Sequence, residues 1–413
     1  MDIIKNQGFV EKHLNKNMYL SIMDGVLFAF GAGMAPLTTT IIFFISQYVQ
    51  NNILIGLLTT MSTVLVNFPQ IFMAKIIESK PNNLRILKWI ALSQRLMWFF
   101  MGISVLFIKS SAWMIAGVYI SYGLYSLLTG LINVTWTDMI AKVVPSRLRG
   151  RFFGIRTAIT SGAEFLGALF CVVALGFLSF PFNYGLIFIL VGVFTTLSYI
   201  VLMQMKEPDF VRNTNRESFL KYAKNLLTIL KEDKNFTFAI CSIGLAIIGN
   251  AAANFRIVYA KEILSITPKE VALLTSLWLI SRSIFSVIWG IINDKKGFKF
   301  AMIAGHFIYL LSYLLMGNIR GIGLLYFIFI LHGIAESVVL VTQSNFIISL
   351  GGEEKRATYL GLSAILFTPL SAIGPILMGL IIEGINYQVA FLSAGAMMAG
   401  MMLIMYKKVE LVK

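Results

Sequence analysis

Asp24, Glu164, Arg282, His332 and Glu336 stand inside long apolar runs. A charge at the centre of a bilayer costs roughly 2.5–3.5 kcal/mol on insertion scales, so each such residue needs a partner or a task. His332 and Glu336 are four residues apart, which puts both on one face of a helix. Either could take up and release a proton there, or the two could form a hydrogen-bonded polar cluster. As metal ligands they are poor, since two donors have no third nearby in sequence. Glu164 and Arg282 each lie about 10–11 residues, or ~15 Å of helix, from the same end of their runs. That matched depth predicts an ion pair between them; the alternative is that each pairs within its own half of the chain.

Other polar residues in these runs have two readings each. Asp24 could hold a cation, or it could pair with a basic loop residue, which is the expectation adopted. Asn250 and Asn254 share a helical face suited to hydrogen bonding a solute, or to packing between helices. Tyr122, Ser126, Thr129, Asn133 and Trp136 fit one face of another helix, with Tyr125 beside them. An aromatic and hydroxyl stripe suits a ring-bearing solute, and also ordinary span packing. Arg95 is expected in a structural pair with an acid on a neighbouring helix. Arg256 is expected in a rim ion pair with Glu262.

The elements that must position these groups follow from the chain as a whole. Its 413 residues are 58% hydrophobic and 13% charged, with too little polar surface for a soluble protein. Runs of about 20 apolar residues recur throughout, and lipid satisfies no open backbone groups, so the spans are helices. About twelve are predicted, near 17–46, 53–77, 84–108, 112–141, 153–178, 184–205, 237–261, 269–292, 299–317, 322–349, 357–382 and 388–406. The polar stretch 206–236 splits them into bundles 1–205 and 237–413. Within that stretch Phe219, Tyr222, Leu226 and Leu230 recur at helical spacing among lysines, the pattern of a short helix on headgroups or of a plain tether. Cys171 and Cys241 are expected to be buried and inert. The first 16 residues show no cleavable leader pattern.

The net charge of +15 would suggest nucleic acid in a soluble protein. Here it marks loops. Of the 34 Lys and Arg, 27 fall on one side of the predicted spans, four on the other and three inside. That bias places both termini in the cytoplasm and requires an even number of spans.

The densest basic cluster is VTWTDMIAKVVPSRLRGRFFG, residues 134–154, with Arg156 just beyond. It is echoed by VTQSNFIISLGGEEKRATYLG, residues 341–361. With Val134 over Val341 the two align without a gap, and Asp138 falls on Asn345, Arg149 on Arg356 and Gly154 on Gly361. The chain is thus read as two copies of a six-helix unit in the same orientation. Repeats of that kind place a shared site at their interface near the midplane.

A second motif carries a family resemblance. GIINDKKGFK supplies Gly290, Asp294, Lys295, Gly297 and Lys299 between the eighth and ninth spans. This resembles the G-x-x-x-D-[RK]-x-G-x-[RK] loop of the major facilitator superfamily. Gly290 would let helices approach closely, Gly297 would make the turn, Asp294 would accept from amides at a helix start, and Lys295 and Lys299 would face headgroups. The corresponding first-half loop, AKIIESKPNNLR, keeps only Ala74, Glu78 and Lys80 as rough counterparts. The resemblance implies alternating access by two bundles, with helices 1, 4, 7 and 10 lining the cavity and helices 5 and 8 facing each other across the halves. Helix 4 lacks the arginine of proton-coupled drug exporters. Helix 5 reads TSGAEFLGALF rather than G-P-x-x-G-G, which weighs against a standard drug/proton antiporter.

Enzymatic readings find no support. There is no G-x-x-x-x-G-K-[ST] loop for ATP, no metal-ligand cluster, and histidines only at 13, 306 and 332. No cofactor or nucleic acid is expected. The sequence therefore predicts an all-α integral membrane protein of the cytoplasmic (inner) membrane. It would act as a monomer and a secondary active transporter of a small organic solute, coupled to protons, by uptake or by export. The competing class is a non-transporting solute-binding or scaffold protein on the same fold. The orientation is checked by tag accessibility: a reporter after Lys413 should stay unlabelled from outside intact cells, and external labelling would overturn the topology.

Overall fold

The computed structural model describes residues 2–78, 82–208 and 229–410. Twelve of its helices are long and apolar enough to cross a membrane. In chain order α1 to α12 are Gly8–Ser46, Asn52–Gln70, Leu84–Phe107, Ser111–Val143, Arg151–Ala174, Phe182–Leu202, Lys234–Leu264, Pro268–Lys296, Phe298–Met316, Ile322–Leu350, Thr358–Gly384 and Tyr387–Lys408. Among the described residues no strand occurs. The hydropathy runs place the helices well and their ends less well. The first helix starts at Asp2 rather than near 17, because no proline or turn sequence interrupts the polar residues before the run. Hydropathy marks where an apolar environment begins, not where hydrogen bonding begins.

Three spans are interrupted. In α1 the helix stops at Met34, Pro36 is extended, and a π turn Leu37–Ile41 leads into Ile42–Ser46. In α7 a 3-10 segment, Ala251–Phe255, separates Lys234–Asn250 from Arg256–Leu264. In α10 a π turn, Val339–Gln343, follows Ile322–Val338. Irregular backbone at such depth is tolerated where protein surrounds it. By contrast, Pro369 and Pro375 lie inside one continuous helix, Gly352–Gly384.

Packing divides the chain into two compact units. The first comprises Met1–Tyr48, Met61–Thr214 and Pro268–Leu273; the second comprises Val49–Thr60, Asn215–Thr267 and Leu274–Lys413. The first turns of α2 therefore count with the second unit, and bonds to α11 show why. Asn52 N donates to Glu383 Oε1 at 2.5 Å, and Thr60 Oγ1 to the Ala372 carbonyl at 2.6 Å. Within the first unit α1 packs on α5 and α6, and α3 on α4 and α6. Within the second, α7 packs on α11 and α12, and α9 on α10 and α12. The pairings are the same ones shifted by six helices, as a repeated unit requires. Residues 209–228, with Phe219, Tyr222 and Leu226, lie outside the described residues, as does Lys80.

Glycines set the closest crossings. A Cβ on Gly33 would lie 2.0 Å from the Glu164 carbonyl oxygen, and one on Gly167 would lie 1.9 Å from that of Phe30. These two residues let α1 and α5 touch backbone to backbone. Gly374, which stands 207 residues after Gly167, makes the corresponding contact of α11 with Ala251 and Ile248 of α7. Gly290 does not behave as expected: among the described residues nothing lies within 4 Å of a Cβ built there. Substituting leucine at Gly33 or Gly167 should cost about 1–3 kcal/mol through overpacking. Gly162→Leu, where a Cβ meets nothing within 4 Å, should be nearly neutral. Thermal unfolding in detergent checks this, and an equal loss at all three positions would contradict it.

Candidate functional site

In the second unit the site is built by α8 and α10. Gly333 on α10 faces the Trp278 carbonyl oxygen, 2.4 Å from a built Cβ, so α8 and α10 run close together. Trp289 Nε1 donates to the Ile334 carbonyl at 3.0 Å, and Asn293 Nδ2 to Thr342 Oγ1 at 3.0 Å, fixing the register of the two helices. This register brings Glu336 to its partners. Trp278 Nε1 donates to Glu336 Oε2 at 2.5 Å, and Arg282 Nη1 lies 3.5 Å from Glu336 Oε1. Trp278 and Arg282 are themselves four residues apart, with the guanidinium 5.2 Å from the indole centroid. The Glu336 side chain is 25% exposed and that of Arg282 15%.

His332 shares the α10 face with Glu336, as its spacing predicts, but the two are not bonded to each other. His332 is buried with its ring edge-on to Tyr309, centroids 4.8 Å apart, and near Tyr313 at 6.0 Å. Tyr313 Oη donates to Asn250 Oδ1 at 2.7 Å. Asn254 turns back to the Ala251 carbonyl at 3.0 Å. The shared face expected for Asn250 and Asn254 is not kept, because the 3-10 segment between them advances about 120° per residue rather than 100°.

Arg256 is the largest departure from the sequence reading. It is not at a rim with Glu262. It is 2% exposed, its Nε donates to the Ala253 carbonyl at 3.1 Å, and its guanidinium sits 4.7 Å from the Phe329 centroid. Glu262 instead accepts from Tyr387 Oη at 2.7 Å. Arg256 is in electrostatic reach of Glu336, Tyr309 and Tyr313. It therefore belongs to the same cluster as Arg282 and His332. The sequence signal was its place in an apolar run; what pattern reading missed was the break in α7 that turns the side chain inward.

The first unit holds a second set of buried charges. Asp24 is 4% exposed; it accepts from Ser198 Oγ at 2.6 Å, and Arg156 Nη2 lies 3.8 Å away. Its basic partner is thus on α5 rather than in a loop. Arg156 also donates to the Ser21 carbonyl at 3.1 Å and lies over Trp136, 4.6 Å from the ring centroid. Arg95, within electrostatic reach of Asp24, donates to the Thr195 carbonyl at 3.3 Å and to Gln94 Oε1. Gln94 bonds Thr129 at 2.6 Å, and Tyr125 packs on Trp98 with centroids 5.1 Å apart. Of the α4 stripe, Tyr122 and Ser126 are buried and Asn133 is exposed. Glu164 is half-buried on α5.

The basic turn has a structural role. Lys142, with 3% of its side chain exposed, lies 3.4 Å from Asp138 and 3.2 Å from the fully buried Glu207. Glu207 accepts from Leu84 N at 2.7 Å, and Asn83 donates to Asp138 at 2.6 Å. Arg149 caps the end of α4 through the Ala141 and Val144 carbonyls at 2.5 and 2.9 Å. Glu207 was missed because it follows α6 outside any motif. In the second unit Gly297 has φ +81°, which suits the turn assigned to it. Asp294 and Lys295 are exposed. Lys299 does not face headgroups: it donates to the Val409 and Tyr406 carbonyls at 2.6 and 3.2 Å, capping α12. Cys171 is buried, but Cys241 is exposed on α7.

Comparison with known proteins fits this architecture. The Major Facilitator Superfamily model matches residues 239–411. An uncharacterized MFS-type transporter of Methanocaldococcus jannaschii is 28% identical over 266 residues, covering 61% of this chain and 62% of that relative's length. The nucleoside transporter NupG superposes with a TM-score of 0.74 at 13% identity, covering 95% of this chain and 99% of its own. A D-xylose-proton symporter does so with a TM-score of 0.75 at 13% identity, over 95% and 97%. At such identity the two structures share a fold with this chain. The family match falls on the second of two repeats, and the first reproduces its helix pairings, so the chain shares the fold of these transporters and its second half resembles the Major Facilitator Superfamily.

Proposed function

We propose that this protein is a secondary active transporter that moves a small organic solute by alternating access, with proton binding at Glu336 as the coupling step. The carrying observation is the Glu336 carboxylate. It lies within a span, is partly exposed, and is held by one arginine and one indole donor. Protonating it would release Arg282, since a neutral carboxyl gives up the charge-assisted part of that contact. Glu164 is assigned the complementary role: it takes Arg282 when Glu336 is neutral and frees it when Glu336 ionises. An exchange of one cation between two acids suits a switch better than a staple, because desolvation offsets most of the gain from either pair. The membrane is taken to be the cytoplasmic one, with both termini inside. The xylose symporter and the nucleoside transporter that share the fold support a small-solute reading.

The test is reconstitution in proteoliposomes. Glu336→Gln should abolish pH-driven accumulation while solute exchange at equal pH survives. Adding Arg282→Gln to Glu164→Gln should cost less than the sum of the single losses. Accumulation that persists in Glu336→Gln would remove Glu336 from coupling, and strict additivity would mean that Glu164 and Arg282 never meet.

A further inference from the structure

The buried arginines of the two sets are satisfied to different degrees. In the first unit Arg95 finds Thr195 and Gln94, and Arg156 finds Asp24 and Ser21. In the second unit three buried polar atoms of one cluster have no hydrogen-bond partner among the described residues. They are Arg256 Nη1, Tyr309 Oη and His332 Nδ1. They belong together: Tyr309 and His332 rings are 4.8 Å apart, and Arg256 is in electrostatic reach of both. Leaving such groups unsatisfied is costly, most of all for a guanidinium, and a native protein retains that cost where a ligand removes it. Charge points the same way. Arg256 and Arg282 both act on Glu336, so the unsatisfied atoms lie in a cationic surrounding.

We propose that this cluster is an anion subsite of the second unit and that it takes the carboxylate of a monocarboxylate. Arg256 Nη1 and Tyr309 Oη supply the donors, and His332 Nδ1 adds a third when that nitrogen carries the proton. A monocarboxylate brings one negative charge. A phosphate ester carries nearly two and would meet the repulsion of Glu336. The surroundings favour an apolar body behind the carboxylate, because Phe329, Trp278 and Tyr313 pack against the cluster and Phe391 packs behind Tyr313. The break in α7 contributes too: Arg256 opens the helix Arg256–Leu264, and a helix start favours negative charge.

The inference rests on the transporter reading only in treating the subsite as a substrate site; binding is read at equilibrium, without any gradient. The full-length protein in detergent is titrated with sodium benzoate, sodium acetate, inorganic phosphate and neutral benzamide at fixed ionic strength, following Tm. A carboxylate, benzoate above acetate, should raise Tm saturably, while benzamide and phosphate do no more than chloride. Arg256→Gln should raise the apparent Kd for benzoate at least tenfold. Tyr309→Phe should raise it about three- to tenfold without lowering the Tm of the unliganded protein, since the hydroxyl it removes is unpartnered. If Arg256→Gln does not fold, Tyr309→Phe decides alone. The proposal is overturned if neither carboxylate stabilises the wild type beyond chloride, if benzamide matches benzoate, or if Tyr309→Phe leaves the Kd unchanged. Carboxylate binding together with pH-driven transport in Glu336→Gln would sink the coupling step and leave the subsite standing. Absent binding with Glu336-dependent transport would do the reverse.

Discussion

An ionised group inside an apolar span has to be neutralised by the bundle that contains it, and that constraint organises this protein. Lipid offers neither water nor counter-ion at depth, so every intramembrane arginine must find its acid, carbonyl or aromatic face within reach. Arg95 and Arg156 are gathered around Asp24, and Arg256 and Arg282 around Glu336. The helix contacts follow from this requirement as much as from apolar packing. Asp24 draws α1, α5 and α6 together through Arg156 and Ser198, while Glu336 ties α10 to α8 through Trp278 and Arg282.

The repeat supplies the frame on which the two solutions diverge. Gly167 and Gly374 stand at the offset that aligns the two basic turns, and each thins one helix against the first helix of its own unit. The frame is shared; the chemistry is not. The first unit seals its acid at 4% exposure and satisfies its arginines with backbone carbonyls and amide side chains. The second leaves its acid partly open and part of its guanidinium chemistry unspent. Under the proposed cycle, an acid that must change partners needs the second kind of arrangement, and a buried pair that only holds helices together is served by the first.

Much of this was legible in the sequence, for physical reasons. Helix number follows from run length, because the bilayer fixes the length of a span. The His332–Glu336 face follows from helical periodicity, and Gly297 from its place before a helix start. Arg256 was not legible, because its direction depends on the 3-10 segment Ala251–Phe255, and nothing in GNAAANFRIVY marks the change from 100° to about 120° per residue. Lys142 and Glu207 were hidden for another reason. They are 65 positions apart and meet only because α3, α4 and the end of α6 converge. Lys299 read as a surface lysine because its acceptors, carbonyls at the C-terminal end of α12, lie over 100 residues downstream. Local pattern carries periodicity and length, whereas partner choice across helices is set by packing.

Neutralisation of buried charge within a unit is tested most directly at the Asp24–Arg156 contact. Unfolding free energies of purified Asp24→Asn, Arg156→Gln and the double variant would be measured in detergent. Removing one member of a buried pair strands the other, so each single change should destabilise by about 2–4 kcal/mol. The double variant should cost less than the sum by about 1–3 kcal/mol. Losses that simply add would mean that these charges do not hold one another, and would contradict the account.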